Sequence, residues 1–219
     1  TVTGFLTWFL VTAKILPFTA ATCIGVSVVC AVGCGFLYHF QGKNGIDCFP
    51  SGKVNLIYGE EILFFIFFLM WTYFAGFRPQ AYGTEKFMDY GFMEAMMRST
   101  TLPARDLWYS EGTINYYYGG QYFAVFLTKL TGSKVELTYN LMRTFVAAFA
   151  FVLPFSLVRQ MSVDRLKGSL TGKKRCLPAV AGIIAGLSVS IAGNMHYVVY
   201  SKIIPWLQKL QGKDCLLYT

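Results

Sequence analysis

Charge is what this sequence has least of. Asp, Glu, Lys and Arg make up 14% of its 219 residues, whereas a soluble domain carries about a quarter. That shortage excludes an ordinary water-soluble globule, which must cover a large surface with polar groups. Histidine is scarcer still. His39 and His196 stand far apart in sequence and make no catalytic or metal-binding pair. Six cysteines are present, but without a CxxC or any paired ligand spacing, so neither zinc nor a disulfide framework is expected. Cys23, Cys30 and Cys34 recur at spacings of seven and four within one apolar run, which places them on one helix face as small packing residues. Cys48, Cys176 and Cys215 are isolated. Internal repeats and low-complexity tracts are missing too.

What the chain has instead is apolar length. Hydrophobic residues make up 55% and aromatic residues 17% of the sequence, and the mean hydropathy is +0.47. A bilayer core about 30 Å thick needs roughly 20 mainly apolar residues per helix. Four runs approach or exceed that length: 18–40, 54–77, 135–158 and 178–200. The fold class expected is therefore all-α, a polytopic transmembrane bundle. Thr1 to Ala13 read as the end of a further span, turned by Lys14 to Pro17. The chain begins without Met and inside an apolar stretch, so it is expected to be a fragment, with 201–219 its tail. Gly182, Gly186 and Ser190 share a small-residue spacing that lets helices approach closely in lipid.

The net charge of +8 does not point to nucleic acid. No helix-turn-helix, zinc-finger or RNA-binding signature occurs, and the positive residues sit in short loops between apolar runs. Arg159, Arg165, Lys167, Lys173, Lys174 and Arg175 crowd together with one acid, Asp164. Positive loops stay in the cytoplasm, so counting back one helix puts 78–134 outside and 41–53 inside. The organisation expected is 1–53 as N-terminal transmembrane helices with a cytoplasmic loop, then 54–200 as one membrane unit with its outer loop at 78–134. The chain is expected in the cell (plasma) membrane, crossing it several times.

The outer loop holds the densest chemistry. Glu85 and Asp89 are four residues apart and share a face if helical, with Phe92, Met93 and Met96 continuing that side. Such a helix would lie along the membrane, apolar side down, its carboxylates near the headgroups. A purely structural reading pairs these acids with Lys86 or Arg78 at the helix start, and Glu94 with Arg98 as an ordinary helical pair. Asn115 is followed by Tyr116, Tyr117, Tyr118, Gly119, Gly120 and Gln121. Adjacent tyrosines cannot all face one way on a helix. They suit either an aromatic belt at the membrane surface or a wall that stacks on sugar faces and hydrogen-bonds through its hydroxyls. The segment 122–132 is apolar, short and interrupted by Lys129, which fits an interfacial helix. Glu60 and Glu61 start a span, and one of them is expected to face the interior, toward Arg143.

These residues carry a family resemblance. Glu85-Lys86-x-Met88-Asp89, Arg98-Ser99, Leu102-Pro103-x-x-Asp106-x-Trp108, Ile114-Asn115-Tyr116-Tyr117-Tyr118-Gly119 and Tyr139-Asn140 resemble the YYY membrane proteins, over roughly 55–194. A later Glu-, Phe-, Pro-, Asp- and His-rich motif associated with that group is missing here. The same stretch is similar to the first outer loop of GT-C-type glycosyltransferases, which take sugars from polyprenyl-phosphate carriers. That resemblance implies a GT-C-like architecture, a lipid-linked sugar donor as partner, and Asp89 as general base or ligand of a divalent metal. Asp89 is followed by Tyr90 rather than a second acid, so Glu85 would supply the other carboxylate. Lys86, Arg98 and Arg143 would meet the leaving phosphate, with Asp106, Asn115, Tyr116, Tyr117 and Tyr118 contacting substrate. Two other functions fit the sequence: a transporter or lipid-handling protein with Glu60, Glu61 and Arg143 along its pathway, and a non-catalytic scaffold.

Overall fold

A computed structural model describes residues 1–43, 54–80, 85–166, 176–192 and 198–210. Helix α1 is Val2–Thr12, α2 Ala20–Lys43, α3 Val54–Gly76, α4 Lys86–Arg98, α5 Gly119–Thr131, α6 Val135–Arg165 and α7 Leu177–Ser190. A π-helical turn, Val199–Ile203, then runs into α8, Ile204–Leu210. The chain is an all-α polytopic membrane protein. It has three helices long and apolar enough to cross a bilayer among the described residues: Ala20–Gln41, Val54–Gly76 and Val135–Arg165, with mean hydropathies of 2.1, 1.6 and 1.9.

The lipid-facing character of these helices shows in what they leave uncovered. No residue of α3 is buried, and on α2 Val29 and Val32 are 69% and 66% exposed. Water would make such continuous apolar faces unstable; hydrocarbon makes them the low-energy choice. Helix α6 has 31 residues and is therefore about 46 Å long at 1.5 Å per residue, longer than the hydrocarbon core. The excess is the polar end with Gln160, Asp164 and Arg165. Arg159 and Arg165 thus belong to α6 rather than to a loop, and Arg165 lies in its last turn, where a cation favours the helix dipole. Lys167, Lys173, Lys174 and Arg175 lie outside the described residues. Helix α7 covers 14 residues, shorter than the run read over 178–200; residues 193–197, including His196, also lie outside.

The chain divides into two compact units, Thr1–Tyr58 with Leu69–Phe145 and Gly59–Phe68 with Val146–Thr219. In the first, α4 packs on α5, and α2 packs on α1 and α5. Phe92, Met93 and Met96 of α4 are buried with Tyr122, Val125 and Phe126 of α5 around Val11 and Phe18. The apolar side of α4 is therefore covered by protein, not laid against lipid as its amphipathic pattern alone suggested. Helix α5 is likewise embedded: Lys129 donates to the Met97 carbonyl at 2.9 Å and stands 4.7 Å over the Phe18 ring. Burial pushes this ammonium below its ordinary range. The interruption that marked α5 as interfacial is a cation capping the end of α4.

Helix α1 is fastened to α5 by two bonds. Tyr122 donates to the Gly4 carbonyl at 2.8 Å, and Trp8 donates to the Tyr118 hydroxyl at 3.3 Å. Helix α5 ends on Gly132 with φ +67°, the left-handed stop that glycine takes without a Cβ penalty. In the second unit α6 and α7 meet through glycines. A Cβ on Gly182 would lie 2.8 Å from the Phe155 carbonyl oxygen, and one on Gly186 would lie 2.9 Å from the Phe151 ring and carbonyl. The small-residue spacing read from the sequence thus packs against α6.

Candidate functional site

The site grows from the first turn of α4. Glu85 is its N-cap residue and makes no side-chain capping bond, which leaves that carboxylate exposed and uncommitted. The Asp89 amide donates to the Glu85 carbonyl at 3.0 Å, so the two acids sit one turn apart on one side. Because α4 packs on α5, the first turn of α5 reaches Asp89. Gln121 Nε2 donates to Asp89 Oδ1 at 2.7 Å. Among the described residues no ion pair joins Glu85 or Asp89 to Lys86 or Arg78. The pair that does form is Glu94 with Arg98, at 3.8 Å and exposed, an ordinary helical pair.

The tyrosine run divides by role. Tyr116 and Tyr117 stack with centroids 3.9 Å apart and planes 30° off parallel, the Tyr116 hydroxyl donating to that of Tyr117. Tyr116 leans on Phe92 of α4 at 5.8 Å, which ties the stack to the helix carrying Asp89. Tyr117 is 78% exposed. The hydroxyl bond to Tyr117, followed by partial burial and the charges of Glu85 and Asp89, pushes the Tyr116 phenol up to about 12. The Tyr118 hydroxyl instead accepts the Trp8 indole bond, which ties it to α1. Asn115 and Lys86 are exposed.

Arg143 comes from α6. Its Nη1 donates to Asn140 Oδ1 at 3.1 Å, and its Cζ lies 5.7 Å from the Tyr139 ring. Asn140 in turn donates to the Pro79 carbonyl at 2.9 Å. Tyr139 meets Tyr90 of α4 edge-on at 5.8 Å and lies within electrostatic reach of both Arg143 and Asp89. Burial, then Glu94, which accepts a bond from the hydroxyl, and Glu136 raise the Tyr90 phenol above its ordinary range.

Arg98 and Asp106 are elsewhere. Arg98 closes α4 nine residues beyond Asp89, about 14 Å along the axis. Asp106 Oδ1 accepts the amides of Trp108 and Tyr109 at 2.8 and 3.0 Å and so shapes the turn. Glu60 accepts a bond from Ser156 at 2.7 Å, while Arg143 is held by Asn140; Glu61 is exposed.

Residues 2–217 match a sequence family described as "Uncharacterized membrane protein (DUF2298)". The chain belongs to that family. Membrane residence, which the family description carries, agrees with the three spans, so this DUF2298 chain sits in a lipid bilayer. No curated protein and no solved structure matches it.

Sequence reasoning missed Gln121. Its only local signal is a polar side chain in the first turn of α5, just after Gly119-Gly120; the contact with Asp89 spans 32 positions. Tyr90 and Tyr139, which meet edge-on, also help to frame the site.

Proposed function

We propose that this chain is the sugar-transferring part of a membrane glycosyltransferase that uses a polyprenyl-phosphate donor at the outer membrane face. The observation that carries this reading is Asp89 held by Gln121 at 2.7 Å, beside the stacked, exposed rings of Tyr116 and Tyr117. A sugar lies against aromatic faces because its C–H bonds are apolar, while its hydroxyls seek polar partners. The Gln121 bond occupies Oδ1 and leaves Oδ2 for an acceptor hydroxyl. In the transfer, Asp89 takes the hydroxyl proton and the freed oxygen bonds to the anomeric carbon. The bond from that carbon to the phosphate oxygen breaks, and the phosphate leaves with the electron pair. Lys86 and Arg143 stabilise that charge.

Mg²⁺ is commonly bound by one or two carboxylates together with substrate phosphates. Glu85 and Asp89 supply that donor set; the described residues contain no cluster of three or more His, Cys, Asp and Glu. The two carboxylates would hold the ion, which would supply charge neutralisation at the donor phosphate. The likeness to GT-C enzymes is analogy, and it adds to the geometry without replacing it.

The second reading, a transporter, is favoured by one observation: Glu60 lies within a span and is bonded to Ser156 at 2.7 Å. Ionisable groups inside membranes often mark pathways. The deciding experiment supplies the purified full-length protein with polyprenyl-phosphate sugars and follows lipids and acceptors by mass spectrometry. Turnover of the lipid-linked sugar supports the transferase. No turnover, with solute flux in vesicles lost on Glu60→Gln, supports the transporter.

A further inference from the structure

The end of α4 opposite Asp89 opens onto a cavity of about 540 Å³ lined by Arg98, Ser99, Thr100, Thr101, Arg105 and Leu107. Arg98 and Arg105 both line this cavity and both are exposed, so two cationic side chains stand ready for an anion that enters it. Arg98 has only the loose contact to Glu94 at 3.8 Å, with its side chain 68% exposed, and such a pair contributes little. Arg105 has no carboxylate within ion-pair distance among the described residues. Its backbone is nonetheless fixed, by an antiparallel bridge to Thr113 and by the Ile114 amide donating to the Ala104 carbonyl at 2.9 Å. Asp106 also lines the cavity, but its Oδ1 is engaged by two backbone amides. Lys129, bonded to Met97 at the same helix end, offsets the negative pole of α4.

Depth decides what anion this is. The Phe18 amide donates to the Thr100 carbonyl at 2.7 Å, and α2 enters its apolar span at Ala20. The cavity wall is therefore two residues from the start of a span, at the level where lipid headgroups lie. Beside it Trp108 and Tyr109 are 61% and 64% exposed, the residue types that settle at that level.

The geometry points to a lipid-phosphate site: Arg98 and Arg105 together hold the phosphate of an anionic membrane lipid, at a place separate from Asp89. Arginine suits this because its planar fork matches phosphate oxygens in pairs. The site does not depend on the transferase reading and stands or falls by lipid binding alone.

The test titrates the delipidated full chain, in an uncharged detergent, with phosphatidylglycerol and reads bound lipid by native mass spectrometry. Phosphatidylcholine and inorganic phosphate are run in parallel. Phosphatidylglycerol should bind in preference to phosphatidylcholine, and Arg98→Gln and Arg105→Gln should each weaken it about tenfold, as expected for loss of a charged hydrogen-bond partner. Lys134→Gln removes an exposed cation just before α6 that the cavity does not include, and should leave affinity unchanged. An equal loss in Lys134→Gln would mean general surface attraction and overturn the site. Indifference between the two lipids would overturn it without reference to any variant. Inorganic phosphate binding as tightly as the lipid, and lost in the arginine variants, would make it a soluble-anion site instead.

Discussion

Gln121 and Asp89 are separated by 32 positions and joined by a 2.7 Å hydrogen bond, the side chain of α5 reaching the first turn of α4. The bond ties the orientation of the carboxylate to the packing of the two helices. Whatever Asp89 does, Gln121 sets where it points. Gln121→Leu keeps much of the side-chain volume and removes the donor. If Asp89 is the base, the change should lower kcat for sugar transfer about tenfold, the cost of one lost charge-assisted bond at a reacting group. KM should stay within about twofold. A rise in KM with kcat unchanged would show that Gln121 binds substrate rather than positioning the carboxylate.

Asp89→Asn tests the carboxylate itself. It keeps the shape, so membrane insertion and elution as a single species in detergent should be unaltered. Transfer should fall on the order of 100-fold or more, as for loss of a general base. Full activity in this variant would remove Asp89 from the reaction.

The Tyr116–Tyr117 pair makes a prediction that needs no substrate. Tyr116 is raised from 10.0 to about 12, first by its bond to the Tyr117 hydroxyl. A phenol raised in this way stays protonated to higher pH than a free one. Its folded-state advantage is complete below pH 10.0 and is lost as pH climbs through about 12, because the folded chain then holds a proton that the unfolded chain has released. Tyr117→Phe keeps the stacked ring and removes the acceptor hydroxyl. The difference titration of phenolate absorbance between the two proteins should show one tyrosine moving down toward its ordinary range, beyond the loss of Tyr117 itself. Its effect on transfer should be milder than that of Asp89→Asn, since the platform survives.

Glycine at the α6–α7 contact gives a stability prediction. Gly186→Ala would place a Cβ 2.9 Å from the Phe151 carbonyl and ring, and a backbone oxygen cannot swing aside as a side-chain end can. Overpacking of this kind costs about 1–3 kcal/mol. The thermal midpoint in detergent should fall by several degrees. Gly25→Ala, inside α2 where nothing lies within 4 Å of the added atom, should not lower it and should raise it slightly, because Ala is the better helix former.

The legibility of this molecule in its sequence follows the range of the forces involved. Helices α2, α3 and α6 were readable because hydrocarbon imposes about 20 apolar residues on each crossing, and their boundaries moved chiefly where polar turns extend α6 to Arg165. That the three tyrosines do not all face one way was readable, but the stacking of Tyr116 on Tyr117 was not, because the run lies ahead of α5 and not on a helix. What covers the apolar faces of α4 and α5 was not. An amphipathic stripe satisfies a membrane surface and a protein groove equally well, and only the fold brings Phe92 and Met96 against Tyr122 and Val125. Gln121 was hidden for the same reason, as no local spacing reports a contact between two helices.

Orientation is the prediction on which the outer-face reading of the site depends. Arg159 and Arg165 close α6, and the residues that follow it are rich in Lys and Arg. Positive residues flanking a span are retained in the cytoplasm. The loop carrying Arg105 and Trp108 precedes α6, so it should face the opposite side. With the six native cysteines replaced, single cysteines at exposed Ser110 and at Arg165 should label differently with an impermeant reagent on intact cells. Ser110→Cys should react at once, and Arg165→Cys only after the membrane is opened. The reversed pattern would put Asp89 and the Tyr116–Tyr117 stack in the cytoplasm, where an outer-face donor cannot reach them, and the proposed transfer would fall with it.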